Sequence, residues 1–424
     1  MTTGSPPRRG LLPAAPRPGP LRSAPFRYLA TARVVSRLGG AMAPVALAFA
    51  VLGLTGSATD LGLVVGARSL ASVVFLLIGG VVADRVPRYV LLVGSSLAAA
   101  ITQGAVAVLV LTDTDSIALL AGLSALNGAV AAFDQPAAAA LQPQTVPREQ
   151  LQQGTALVRI GISAAGVLGA SLGGLLVAGI GPGWGIVADA ASFLVAAALF
   201  ARVRVPAGAA TPTTTRRLWD DLRLGWSEFV GRTWLWVVVL AFAIVNAVLA
   251  GTLGVLGPLV ALHTVGIAGW GFVLTSAAVG YIVGGLVALR LRIHRLLRFG
   301  MACVAGAAPL PVAMAVAPRL GILLVAAFLG GLAIEQFGVA WETSMQQHVP
   351  GDRLARVYSY DLLGSFIAVP IGQVGAAPIA QALGVRATLL GGGALLLLAT
   401  AAALASRSVR RLPNTSLIDS PAVV

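Results

Sequence analysis

The chain has 424 residues, 57% of them hydrophobic and only 10% charged, with a mean hydropathy of +0.90. Soluble domains run at about 45–50% apolar and about 25% charged, so a soluble globular protein and a disordered chain are both excluded. The 29 basic residues, all arginine, outnumber 15 acids for a net charge of +14. They sit mostly in short gaps between apolar runs, where they orient helices rather than grip nucleic acid.

Residues 1–27 open with a Pro- and Arg-rich stretch that lacks an apolar core of signal-peptide length, and they are expected to form a disordered cytoplasmic tail. The first spanning helix is then expected to direct insertion. Apolar windows long enough to cross a hydrocarbon core of about 30 Å predict twelve spans. They lie at 28–53, 60–82, 89–111, 116–140, 154–179 and 184–202, then at 233–260, 267–289, 297–317, 320–343, 355–380 and 384–405. The expected fold is therefore an all-α membrane protein with two six-helix bundles, 28–202 and 233–406, and a cytoplasmic tail at 407–424. Between the bundles, 203–232 reads as a cytoplasmic linker with an amphipathic helix presenting Leu218, Trp219, Leu222, Trp226 and Phe229 on one side.

Arginine placement predicts the orientation. Of the 29, 25 fall in the N-terminal tail and first turn, in even-numbered gaps or in the C-terminal tail. Arg319 and Arg386 lie in odd-numbered gaps, and Arg68 and Arg159 lie inside spans 2 and 5. Both termini are thus expected in the cytoplasm.

The two halves repeat. QTVPREQLQQGTALVRIG from Gln144 matches QHVPGDRLARVYSYDLLG from Gln347 at a shift of 203, pairing Gly161 with Gly364 and Gly169 with Gly372. GGVVADRVPRYVLL from Gly79 matches GGLVALRLRIHRLL from Gly284 at a shift of 205. Duplicated six-span halves are a transporter architecture, with a midplane site exposed alternately to each side.

The stretch Gly79 to Arg88, with Gly79, Gly80, Asp84, Arg85 and Arg88, resembles the signature between spans 2 and 3 of the major facilitator superfamily. The loops VPREQL and VPGDRLARVYSYD are similar to those of its drug-exporter branch, which holds macrolide-efflux and enterobactin-exporter-like proteins. The resemblance implies a secondary transporter of the cell membrane exporting a small amphipathic or hydrophobic compound, drug-like or siderophore-like, by proton antiport. It implies no cofactor beyond the proton gradient, with substrate, protons and the bilayer as partners of a monomer. Gly169, Gly173 and Gly174 in span 5 follow the branch's Gly-Pro-x-x-Gly-Gly element, except that Ala170 replaces its proline. Leu38-Gly39-Gly40-Ala41 lacks the acid that many relatives carry in span 1. An importer of the same fold, and a non-transporting membrane receptor, remain alternative readings.

Candidate functional residues follow from charge and polarity in apolar surroundings. Asp84 is expected at the cytoplasmic edge against the helix-dipole end of span 11, with Arg85 and Arg88 facing Asp352 or Asp361, as a latch between the halves. Glu335 and Asp134 are expected proton sites, with Asp189 a further candidate, because apolar surroundings favour the neutral carboxyl that antiport requires. Their alternative is a structural pairing with Arg68, Arg159 or the backbone. Arg68 and Arg159 either snorkel to a span end or pair with an acid or the substrate. Asn127, Gln135, Asn246 and Gln336 are cavity candidates, or else glue between helices.

His263, His294 and His348 have no metal-ligand spacing, and Cys303 alone forms no internal disulfide. Without lysine no phosphate-binding G-x-x-x-x-G-K-[ST] exists, and no catalytic constellation suggests an enzyme. The latch has a built-in control, since Leu289 stands in the second copy where Asp84 stands in the first. Asp84→Asn should impair transport far more than Leu289→Asn in an accumulation assay, and equal defects would return the motif to a topology signal.

Overall fold

The computed structural model describes residues 19–114, 116–147, 150–204, 226–227, 229–288, 290–291 and 293–414; the described side chains exclude those of 76–85, 135–136, 139–140, 152, 156, 351–356 and 359. All regular structure among these residues is helical. In the first half, span 1 is Ala24–Thr55, span 2 Ala58–Arg85 and span 3 Arg88–Leu111. Span 4 is Ile117–Ala131 continued by Asp134–Leu141, span 5 is Leu151–Ile180 and span 6 is Pro182–Phe200. In the second half, span 7 is Thr233–Gly251 with Gly257–Leu262, span 8 Gly266–Ala288, and span 9 Leu296–Cys303 with Pro309–Val316. Span 10 is Leu320–His348, span 11 Gly351–Phe366 with Ala368–Leu383, and span 12 Val385–Ala405. The all-α expectation holds, and eleven of these helices are long and apolar enough to cross a bilayer, with Ile117–Ala131 the shorter exception.

Four spans expected to be continuous are interrupted, and the cause is legible in the sequence. Proline has no N–H to give the carbonyl four residues earlier. Pro136 follows the break at Ala132–Phe133, and Pro258 follows the π-helical turn Thr252–Leu256. Pro309 and Pro311 follow the 3-10 segment Val304–Ala307, and Pro370 follows the break at Ile367. A lipid-facing segment cannot leave backbone groups unpaired, so such breaks are tolerated only where the bundle or a cavity covers them.

Packing follows the internal repeat. A Cβ on Gly364 would collide with the Val239 side chain of span 7, as one on Gly161 would with Val34 of span 1. Gly169 lies over the Leu38 carbonyl and Gly372 over the Ala247 carbonyl in the same pairing. The turns into spans 6 and 12 repeat as well, since Gly181 and Gly384, 203 positions apart, both take positive φ of 98° and 87°. In lipid, where water exclusion does not drive helices together, small residues that admit close backbone approach decide which helices pair.

One apolar cluster draws on both halves, including Phe49 of span 1, Leu61 of span 2, Val177 of span 5, Trp270 of span 8, Leu323 of span 10 and Ala377 of span 11. It lies at the end bearing the turn between spans 1 and 2, which is the extracellular face in the arginine-based orientation. Toward the opposite, arginine-rich end the buried clusters belong to one half or the other: Leu29, Leu92 and Phe200 in the first, Trp234, Trp341 and Leu396 in the second.

The described hydrogen bonds between the halves also lie at the joined end. Ser171 and Thr275 hydroxyls approach to 2.6 Å, the Thr275 hydroxyl reaches the Val167 carbonyl at 3.3 Å, and Gln381 Nε2 donates to Thr59 Oγ1 at 2.9 Å. A Cβ on Gly174 would stand 2.9 Å from the Gly271 Cα, so span 5 meets span 8 backbone to backbone.

Of the expected linker helix, Leu218, Trp219 and Leu222 lie outside the described residues. Phe229 is buried, and Trp226 and Phe229 both rest on the Tyr360 ring, with centroids 5.5 and 6.0 Å away. The two hydroxyls at 2.6 Å offer a direct test of the joined end. Paired cysteines at Ser171 and Thr275, with Cys303→Ser to remove the native thiol, should cross-link under mild oxidation and arrest transport until reductant is added. Unhindered transport by the cross-linked protein would show that this seam does not open.

Candidate functional site

A cavity of about 440 Å³ lies within the first half. Its walls carry Arg33, Ser36 and Arg37 of span 1, Arg68 of span 2, Ser95 of span 3 and Asp134 of span 4. Pockets for drug-sized ligands run from about 300 to 1,000 Å³, so this one suffices for a small molecule. A second cavity of about 220 Å³ lies between the halves beneath the joined end, lined by Pro44, Arg68, Ser69, Gly254, Trp270 and Gln373. Arg68 borders both.

Local structure explains how charges come to face this space. Arg33, Arg37 and Gly40 recur at helical spacing on one face of span 1, and Pro44 and Leu47 continue that stripe into the second cavity. The sequence reading assigned Arg33 and Arg37 to the orienting arginines of the tail and first turn. Span 1 begins at Ala24, however, which puts both of them well inside the helix. Arg33 Nη1 donates to Gln142 Oε1 at 3.3 Å and its charge acts on Asp134. Asp134 opens the short helix after the span 4 break, so the break sets this carboxylate on the cavity wall.

The remaining intramembrane acids divide by environment. Asp189 is fully buried between spans 1, 3 and 6, where it accepts a 2.5 Å hydrogen bond from Gln103 Nε2 and feels the charge of Arg68. Its Oδ1 has no hydrogen-bond partner among the described residues. Asp361 is also buried, and it accepts from Trp341 Nε1 at 3.1 Å and from the Ser365 hydroxyl at 3.2 Å. It thus ties spans 10 and 11 together inside the second half. Glu335 is half-buried over Gly285 of span 8 and feels the charge of Arg159 from the other half.

Three of the four expected cavity amides are spent on holding helices together. Asn127 Nδ2 donates to Thr102 Oγ1 at 3.0 Å, Asn246 Nδ2 to the Ser365 carbonyl at 2.9 Å, and Gln336 Nε2 to the Gly284 carbonyl at 2.6 Å. The side chains of Gln135, Asp84, Arg85 and Asp352 lie outside the described residues, as do the surroundings of Gly79 and Gly80. Arg88 is half-buried at the start of span 3. Gly169 and Gly173 pack on Ala41 and Met42 of span 1, and Gly174 on Gly271 across the halves.

Sequence reasoning missed Arg33, Arg37, Gln103 and Gln373. The i, i+4 spacing of Arg33 and Arg37 inside an apolar run was the available signal for the first two. Among the described residues no group of three or more His, Cys, Asp or Glu side chains is placed to hold a metal ion.

Two pseudo-symmetric six-helix halves, the first enclosing a charged intramembrane cavity, define a transporter of the major facilitator type. Residues 16–421 match the transmembrane secretion effector family, and the chain belongs to it. It is 26% identical over 384 residues to the multidrug efflux pump Tap of Mycolicibacterium fortuitum, covering 86% of this chain and 91% of that protein. Among solved structures it is similar to the nucleoside transporter NupG, with a TM-score of 0.71 at 11% identity, covering 90% of this chain and 98% of that one. It is also similar to an inward-facing, unoccupied bacterial homologue of the human lysosomal transporter Spinster. That match has a TM-score of 0.70 at 17% identity and covers 97% of this chain and 100% of that one. The chain is therefore a multi-pass membrane transporter and not an enzyme.

The Gln103–Asp189 bond makes a stability prediction. Gln103→Leu leaves a buried carboxylate without its donor and should cost about 1–3 kcal/mol, read as a lower unfolding temperature in detergent. Adding Asp189→Asn should recover part of the loss. An unchanged unfolding temperature in Gln103→Leu would mean that Asp189 is satisfied elsewhere.

Proposed function

We propose that this transporter exports a small amphipathic compound across the cell membrane by alternating access, driven by protons moving inward. The observation that carries the reading is the 440 Å³ charged cavity of the first half, in a molecule whose halves share their core at the opposite end. With the arginine-rich face in the cytoplasm, this is an inward-facing arrangement that would admit substrate from inside. The efflux pump Tap, similar along most of both chains, supports the outward direction.

Proton coupling rests on Glu335 and Asp134. Glu335 lies opposite Arg159 across the two halves, so protonating the acid would weaken an attraction between them. Asp134 shares the substrate cavity with Arg33, where its charge state would change the field a substrate meets. Asp84, Arg85, Arg88 and Asp352 belong in this reading to a cytoplasmic latch that closes in the outward-open state. A helix-dipole interaction of about 0.3–2 kcal/mol would bias that equilibrium several-fold. Uptake is the second reading, favoured by Ala170 in place of the span 5 proline.

Cells expressing the chain should accumulate less of some compounds in a broad panel than cells without it. In proteoliposomes, Glu335→Gln should abolish substrate-dependent proton flux while the protein still inserts. Flux that survives in both Glu335→Gln and Asp134→Asn would remove these acids from the coupling mechanism, and increased accumulation across the panel would favour uptake.

A further inference from the structure

The cavity of the first half carries three arginines against one aspartate. Arginine deep in a spanning helix costs about 2.5–3.5 kcal/mol at the helix centre, and topology does not require it, because loop arginines already orient the chain. The choice of arginine over lysine carries no information here, since the chain has no lysine. The informative feature is how few internal partners these charges have.

Arg33 is occupied by Gln142 and by the field of Asp134. Arg37 is exposed on the span 1 face, and its guanidinium passes near the position a Cβ on Gly166 would take. Among the described residues Arg37 donates no hydrogen bond and forms no ion pair. The same holds for Arg68, whose compensating charge is the buried Asp189, itself engaged by Gln103. Two guanidinium groups, each with five donors in a planar fork, therefore border one cavity with their hydrogen-bonding capacity unspent. The Ser36, Ser95 and Ser96 hydroxyls add neutral donors, while Ala99, Ile162 and Phe193 supply apolar wall.

Resting on the transporter reading above, we propose that this cavity binds an amphipathic organic anion as the transported substrate. Its carboxylate or sulfonate is held by Arg37 and Arg68, and its apolar body lies against the span 3, 5 and 6 side chains. Arginine and an oxyanion make charge-assisted, often bidentate hydrogen bonds, and an anion supplies the hydrogen-bond acceptors that Arg37 and Arg68 lack among the described residues. Asp134 on the cavity wall disfavours a second negative charge close to Arg33. The anion could also be a lipid headgroup, so the test separates the two sources.

The experiment measures equilibrium binding to the purified full chain in nanodiscs of neutral phosphatidylcholine, using two dyes on a common xanthene scaffold: anionic carboxyfluorescein and cationic rhodamine 123. Carboxyfluorescein should bind saturably and more tightly than rhodamine 123. Arg68→Gln and Arg37→Gln should each weaken it by about tenfold, the loss of one charged hydrogen-bond partner. Arg37, exposed on the cavity wall, guards against loss through misfolding at Arg68.

Preference for rhodamine 123, or carboxyfluorescein binding unchanged in Arg37→Gln, would overturn the proposal. So would displacement of carboxyfluorescein when phosphatidylglycerol is added to the nanodiscs, because the site would then be a lipid's. None of these results bears on export, which the accumulation panel reads independently.

Discussion

Inside a bilayer every backbone N–H and C=O needs a partner within the protein, and the architecture of this chain follows from that constraint. Helices satisfy it along most of the length. Prolines break it locally in spans 4, 7, 9 and 11, each just after the interruption it causes. Two of these irregular segments adjoin the cavities: the span 4 break presents Asp134 to the larger one, and the π-helical turn of span 7 contributes Gly254 to the smaller. Backbone irregularity and intramembrane polarity thus occur together, where lipid is excluded.

The same economy governs side chains. Polar groups in the membrane either hold helices to one another or face a cavity, and the difference is whether their hydrogen bonds are spent. Asn246, Gln336 and Asp361 are spent within one half of the molecule, as is the Nδ2 donor of Asn127. Among the described residues Arg37 and Arg68 make no hydrogen bond, and they border open space. The halves are electrostatically unequal, since the intramembrane arginines Arg33, Arg37, Arg68 and Arg159 all belong to the first half, where they outnumber Asp134 and Asp189, while the second half contributes the acids Glu335 and Asp361. An attraction between halves of opposite charge favours their approach, and substrate or protons that neutralise one side would relax it.

Pseudo-symmetry links sequence to motion. Gly161 and Gly169 fit span 5 against span 1 as Gly364 and Gly372 fit span 11 against span 7, so each half is a rigid unit built on the same close approach. Gly174 and Gly271 then place the seam between the units at spans 5 and 8. The described polar contacts across the joined end are neutral ones, the Ser171 and Thr275 hydroxyls and Gln381 on Thr59. Parting these contacts leaves none of them as an unpaired charge, which suits a joint that opens and closes.

The sequence by itself determined that the chain is a helical membrane protein, how many spans it has to within the short fourth helix, and that its halves are copies. These follow from local apolar length, from glycine and proline placement and from self-similarity, which are properties of the chain read along its own axis. It also marked Asp134, Asp189, Glu335 and Asp361 as acids in apolar surroundings. What it could not decide was which polar groups face the cavity, because that depends on the azimuth of each helix against its neighbours, and helix packing fixes azimuth. Only the tertiary structure separated Asn127, which is buried against Thr102, from Arg37, which is exposed more than three turns into span 1 and has no hydrogen-bond partner among the described residues.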